Sequence, residues 1–252
     1  MLLIKECILA SKRKKAKSTR YSNEWILICL LIRIKHQATY TFLRENKILP
    51  LPAKSTIESY LKRVRSKCGF DKEFLENFEK QLSKLPEGAR HGVLLFDEMI
   101  VRKSIAVNSR TATFDGLADD GTNSTSSLNE MADHALVIMF SSLQANFHQP
   151  IATFASKNST PGETLAKLIL QAITVIENAG GKIDAMICDG ATTNRKMWDE
   201  FNVSGKIDAV NHFVANPCNE NRNIYIFSDS PHLIKCVRNR VMSKNLKVNI
   251  YL

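Results

Sequence analysis

Two short apolar runs in this chain carry a carboxylate near their downstream end. Val93 to Met99, VLLFDEM, holds Asp97, and Ala185 to Gly190, AMICDG, holds Asp189. Such runs are what a buried strand requires. A charge at the tip of a hydrophobic strand is costly unless it is paired, hydrogen-bonded or bound to a metal. Two carboxylates side by side repel, and one is driven toward protonation unless a cation lies between them. Mg²⁺ suits the pair, as does Mn²⁺, because a hard cation takes oxygen ligands and commonly accepts one or two protein carboxylates plus substrate phosphate. Two such ions about 4 Å apart activate water or a 3′-hydroxyl and stabilise the leaving oxygen in phosphodiester cleavage and strand transfer. The blander alternative is that one or both aspartates cap a turn or pair with a lysine.

The elements that must bring the two aspartates together read as α/β. Residues 93–105 are a predicted strand, 111–117 a second, and 136–143 a third that extends through 150–154. The stretch DDGTNSTSSLNE between the second and third is polar and reads as a loop. Thr160-Pro161-Gly162-Glu163 opens a long helix, with Thr160 as N-cap, Leu165, Leu168, Ile169, Ala172, Val175 and Ile176 facing inward, and Gly180-Gly181 as the stop. A strand at 183–188, a short helix at 194–201, a strand at 224–227 and a helix at 233–241 complete a β-β-β-α-β-α-β-α order. Right-handed crossovers then place the fourth strand beside the first, with Asp97 and Asp189 at neighbouring strand ends. That is an RNase H-like mixed sheet, spanning residues 91–252.

Upstream, residues 21–86 read as a small helical domain. Trp25, Ile28, Cys29 and Ile32 give one helix continuing to about Asn46, STIE at 55–58 reads as a capping box for a second, and Asp71 as the N-cap of a third with Phe74, Phe78 and Leu82 on one stripe. Lys62, Arg63, Arg65 and Lys67 on the second helix suit a helix-turn-helix-like module, with a merely supporting helical pack as the alternative. Residues 86–91, PEGARH, read as the boundary. Residues 1–20 read as a basic disordered arm, whose Lys12, Arg13, Lys14 and Lys15 suit phosphate contact or nuclear localisation, or else form a solvated tail.

The balance of the composition agrees with a polyanionic partner: the formal charge is +10 and the isoelectric point about 9.3. Six scattered cysteines contain no C-x-x-C pair, which excludes a written zinc finger and favours reduced thiols in an intracellular protein. The longest apolar run, Trp25 to Ile32, is too short to span a bilayer, and MLLIKECILA lacks the order of a signal peptide. The expected location is nuclear, without a membrane partner.

At the segments LLFDEM (94–99), FDGLAD (114–119), HALVIMF (134–140), QPIATF (149–154), ICDGATTNRKMW (187–198) and FSDSPHLIKCVRNR (227–240), the chain resembles the P-element transposase family, including its THAP-domain-containing relatives. TFLRENKILPLPAKSTIESYL (41–61) is similar to the helix-turn-helix region that precedes the nuclease domain in those proteins. The resemblance implies that Asp97 and Asp189 are the first two members of a D-D-E metal triad, with Asp229 as second choice for the second position. It implies transposon-end DNA as substrate, Mg²⁺ or Mn²⁺ as cofactor, and self-association or pairing with full-length transposase. The zinc ligands of a THAP domain are missing from this sequence. The family's GTP-binding insertion and catalytic glutamate are expected beyond Leu252, so the chain reads as a fragment or remnant not expected to cleave DNA autonomously. The alternative is a DNA-binding or transposase-pairing repressor. Glu98, Glu130 and Asp133 are the nearest substitutes for the third carboxylate.

Overall fold

The computed structural model describes residues 2–12, 20–61, 68–108, 113–119, 121 and 130–243. The chain divides into two compact units, Met1–Ser66 and Lys67–Leu252.

In the first unit, α1 (Leu2–Ser11), α2 (Asn23–Lys35), α3 (Gln37–Glu45) and α4 (Lys54–Leu61) surround a core of Trp25, Ile26, Cys29, Tyr40, Leu51 and Ile57. The two proline-bearing turns are fastened to it: Trp25 Nε1 donates to the carbonyl of Pro50 at 3.1 Å and the Tyr40 hydroxyl to that of Pro52 at 2.7 Å. Burial lifts the Cys29 thiol and the Tyr40 phenol to about 12 each, so both groups stay neutral.

Three expectations need correction here. Residues 2–11 are helical rather than a disordered arm, and the buried Glu6 accepts from the Ser22 hydroxyl at Oε1, at 2.8 Å. The helix expected over 23–46 breaks at His36, which ends α2 and precedes α3 with φ of −145°. The capping box at 55–58 does not form. The helix starts at Lys54, and Glu58 instead meets Arg33 at 3.5 Å and Lys54 at 3.6 Å.

The second unit opens with α5 (Lys72–Leu82), capped as expected by Asp71, whose Oδ1 accepts from Phe74 N at 3.1 Å. This third helix belongs with the sheet and not with the helices before it, because its stripe supplies Phe78 and Leu82 to the sheet's core. After a 3₁₀ turn at Glu87–Arg90 come β1 (His91–Ile100), β2 (Ala106–Asn108), β3 (Thr113–Asp115), β4 (His134–Ser142), β5 (His148–Ser156), α6 (Gly162–Asn178), β6 (Lys182–Cys188), α7 (Thr192–Glu200), β7 (Ser204–Lys206), β8 (Ala209–Asn211), β9 (Phe213–Asn216), β10 (Asn219–Ser228) and α8 (Ser230–Ser243). The main sheet runs β5-β4-β1-β6-β10-β9. β1 is antiparallel to β4 and parallel to β6, and β10 is parallel to β6.

The three antiparallel strands are therefore β1, β4 and β5. The second predicted strand forms a separate hairpin with β2, and the third is really two strands. Pro150, which cannot donate to a ladder, sits on the edge strand β5 beside a register shift.

Leu94, Phe96, Leu136, Ile138, Phe140, Ala152 and Phe154 fill one face of the sheet and pack with Phe78 and Leu82 of α5 and Leu165, Ile169, Ile173 and Ile176 of α6. Val93, Leu95, Val137 and Met139, on the other face, are half-buried, and Tyr225 and Phe227 are exposed. Gly162 allows α6 to start hard against α7, since a Cβ there would lie 2.5 Å from that of Lys196.

Candidate metal and phosphodiester site

Asp97 lies three residues before the end of β1, and Asp189 follows β6 directly. The parallel register pairs Leu95 with Ile187. Asp97 and Asp189 each lie two residues beyond that last paired position, so strand alternation puts both on one face at the downstream ends of neighbouring strands. Both line one cleft of about 230 Å³, together with Phe96, Glu98, His134, Thr160 and Asn194.

The cleft fixes one oxygen of each carboxylate and leaves the other. Asp189 Oδ1 accepts from Ala191 N at 2.9 Å and from Asn194 Nδ2 at 2.7 Å, and Asp97 Oδ1 accepts from Glu98 N at 2.9 Å. Among the described residues, neither Oδ2 has a hydrogen-bond partner and neither aspartate an ion-pair partner. The turn-capping alternative thus accounts for one oxygen of Asp189 and not for the pair. Beneath them the Cys188 thiol is pushed up to about 12, by burial first and then by the charges of Asp189 and Asp97. A neutral thiol is no competitor for a hard cation.

Asp229 is not in this cleft. Its N–H donates to the Cys188 carbonyl at 2.8 Å and its own carbonyl accepts from Leu233 N at 3.0 Å, so its backbone joins β10 to the start of α8 one strand further out. Of the three substitutes for a third carboxylate, Glu98 lines the cleft with one oxygen engaged, while Glu130 and Asp133 do not line it and are ion-paired. Glu98 Oε1 accepts from both the backbone N–H and the hydroxyl of Thr160, at 2.8 and 2.9 Å, which also explains why α6 begins with Pro161 and not Thr160 as its cap. Glu130 meets Lys157 at 2.7 Å, and Asp133 meets His134 and Lys103 at 2.7 and 3.1 Å. No group of three or more His, Cys, Asp or Glu side chains poised for a metal occurs among the described residues.

Of the residues expected to contact DNA, Lys12 lies exposed just after α1, whereas Arg13, Lys14, Lys15, Lys62, Arg63 and Arg65 lie outside the described residues. No described helix is long and apolar enough to cross a membrane. Sequence reasoning did not single out Asn194, which holds Asp189, or His134 in the cleft wall. Asn194 sits within the CDGATTN segment, five residues after the aspartate it anchors, and that i+5 spacing across a tight turn was the available signal.

A mixed sheet with adjacent strand-end carboxylates, helices on one face and a crossover between β5 and β6 is the RNase H-like transposase fold. Residues 66–202 match the model of the TNP-like RNase H N-terminal domain, and the chain belongs to that family. It is 25% identical over 203 residues to the Transposable element P transposase of Drosophila melanogaster, covering 81% of this chain and 24% of that protein. It is 19% identical over 243 residues to the human DNA transposase THAP9, covering 93% of this chain and 27% of that protein. The solved Drosophila P element transposase strand transfer complex superposes with a TM-score of 0.64 at 22% identity, over 96% of this chain and 48% of that one. The chain thus spans about a quarter of the length of these curated relatives.

Proposed function

We propose that this chain supplies the first two metal ligands, Asp97 and Asp189, of a P-element-type transposase that cuts and joins DNA with Mg²⁺ or Mn²⁺. What supports the reading is that the two aspartates, each two residues beyond the last β1–β6 register pair, line one cleft, and that neither Oδ2 has a hydrogen-bond partner among the described residues. Two carboxylate oxygens with no protein cation between them fit a hard divalent ion, which completes its shell with water and phosphate. When bound, the ion polarises a phosphodiester oxygen and lowers the proton affinity of an attacking water or hydroxyl. The residues here do the positioning: Asn194 and Ala191 N hold the Asp189 carboxylate, Glu98 N holds that of Asp97, and the Glu98–Thr160 pair ties β1 to the cleft wall.

The substrate in this reading is transposon-end DNA, the site of action is the nucleus, and the chain associates with a second copy or with full-length transposase. The +10 charge supports the polyanionic partner. A second reading, DNA binding without cleavage, is favoured by the ion pairs that engage Glu130 and Asp133, neither of which lines the cleft.

Duplex binding by fluorescence anisotropy tests the shared part of both readings. Affinity should rise on addition of Ca²⁺ and fall steeply with salt. A salt-insensitive, metal-indifferent affinity overturns the assignment. Nicking of the same duplex in Mn²⁺ separates the two readings, since the binding-only form leaves it intact.

A further inference from the structure

The cleft has a fourth polar element that the metal reading does not use. β4 begins at His134, which stands opposite Ile100 in the β1 register and lines the same cleft as Asp97, Glu98 and Asp189. Its ring is held from behind: Nδ1 lies 2.7 Å from Asp133 Oδ1. Asp133 is itself locked, with Oδ1 accepting from Asn158 N at 2.6 Å and Oδ2 meeting Lys103 Nζ at 3.1 Å. The His134 contact, followed by those of Asn158 and Lys103, holds the Asp133 carboxyl well below the usual carboxylate range, so the anion that orients the ring persists in mild acid. Three chain segments therefore converge to fix one imidazole: the stretch after β1 (Lys103), the start of β4 (Asp133–His134) and the turn after β5 (Asn158).

With Nδ1 spent on Asp133, the remaining nitrogen is Nε2, and it has no partner among the described residues. The ring is largely buried, with about a fifth of its side chain accessible. A surface histidine kept only for solubility needs no such clamp. A buried one kept for packing would not sit in the wall of a cleft lined by acids.

We propose that His134 is a DNA-phosphate-binding residue of this site, its Nε2 contacting a phosphate oxygen beside the scissile bond while Asp133 holds the ring. The inference rests on the metal reading above and adds a group to it. The ring in that complex donates to a carboxylate on one side and a phosphate on the other. A cleft whose other charged groups are all acids repels a DNA phosphate, apart from what a bound cation offsets. A donor fixed at its rim supplies attraction the carboxylates cannot, and places the phosphate relative to Asp97 and Asp189. His134 acts on phosphate and not on metal, so its loss should leave the ion's affinity alone.

The test uses the whole chain with a short duplex oligonucleotide of arbitrary sequence, in Ca²⁺. His134→Ala should weaken duplex binding about tenfold, the loss expected for one charge-assisted contact. His134→Gln, which keeps an N–H donor near the Nε2 position, should recover part of it. In the unsubstituted protein, the His134 ring ¹⁵N resonances should move when duplex is added, a readout that needs no variant to fold. Thermal midpoints in Mn²⁺ run alongside. If Mn²⁺ stabilises the unsubstituted protein and His134→Ala equally, while duplex affinity and ring resonances do not change, the His134 role is overturned and the metal pair stands. If Mn²⁺ stabilises neither, the metal reading fails and the His134 role fails with it.

Discussion

The two ends of β6 treat their acids in opposite ways. At the upstream end, Asp184 meets His91 at 2.8 Å, with Arg222 Nη1 3.9 Å away on its other side. Nearby Glu177, nine-tenths buried, pairs with Arg222 and accepts from Ile183 N at 2.8 Å and Asn216 Nδ2 at 2.9 Å. At the downstream end, Asp189 and Asp97 share a cleft with only backbone and amide donors on one oxygen each. The first group is what a fold does with charges it keeps for structure: each acid finds a cation or a donor. The second is a pair of like charges that the fold holds in place without neutralising, an arrangement that costs stability and is retained where a ligand is expected to complete it.

That contrast predicts opposite responses to removing a charge. Glu177→Ala leaves the Arg222 guanidinium and two buried donors without their acceptor and should cost about 3 kcal/mol in urea unfolding. A loss under 1 kcal/mol would mean the upstream network is not structural. Asp97→Asn and Asp189→Asn, by contrast, should leave the metal-free protein at least as stable as before, because repulsion falls while an amide oxygen can still accept at Oδ1. The same two variants should lose the stabilisation that Mn²⁺ confers, about 2.7 kcal/mol at a hundredfold excess over its dissociation constant.

Smaller effects refine the picture. The Asp133 carboxyl titrates below its unfolded value of about 3.9, so its contribution is complete above that pH and is lost as pH falls through the lower folded value. Asp133→Asn should therefore flatten the acid limb of stability against pH, measured by urea midpoints below about pH 5. An unchanged acid limb would show that the His134 clamp contributes nothing in solution. Least affected should be Glu87→Gln. The Lys182–Glu87 pair spans 2.9 Å, but Glu87 is four-fifths exposed, and the unfolding midpoint should not move measurably.

The sites most legible in the sequence were those where burial and charge conflict. LLFDEM and MICDG announce their aspartates because an acid stands at the end of an apolar run, and the crossover rule alone places them on adjacent strands. The helix at 162–178 was equally plain from its stripe. The turn between β4 and β5 was not, because it lacks glycine or proline: the Ser142 hydroxyl accepts from Gln144 N and Ala145 N in their place. The β9–β10 hairpin hid behind the polar run NPCNENRN, whose strand character is set by pairing with its neighbours and not by composition. His36, where α2 ends, carries no breaker signal at all. Within the site, the capping of Thr160 by Glu98 and the locking of His134 by Asp133 depend on contacts between segments far apart or on ring orientation, neither of which periodicity encodes.

Isothermal titration of Mn²⁺ into the unsubstituted chain, Asp97→Asn and Asp189→Asn tests the joint ownership of the ion most directly. Binding in the first and its loss in each of the other two is the predicted result. Undiminished binding in either single variant would contradict it, since the ion would then need only one of the two aspartates, or neither.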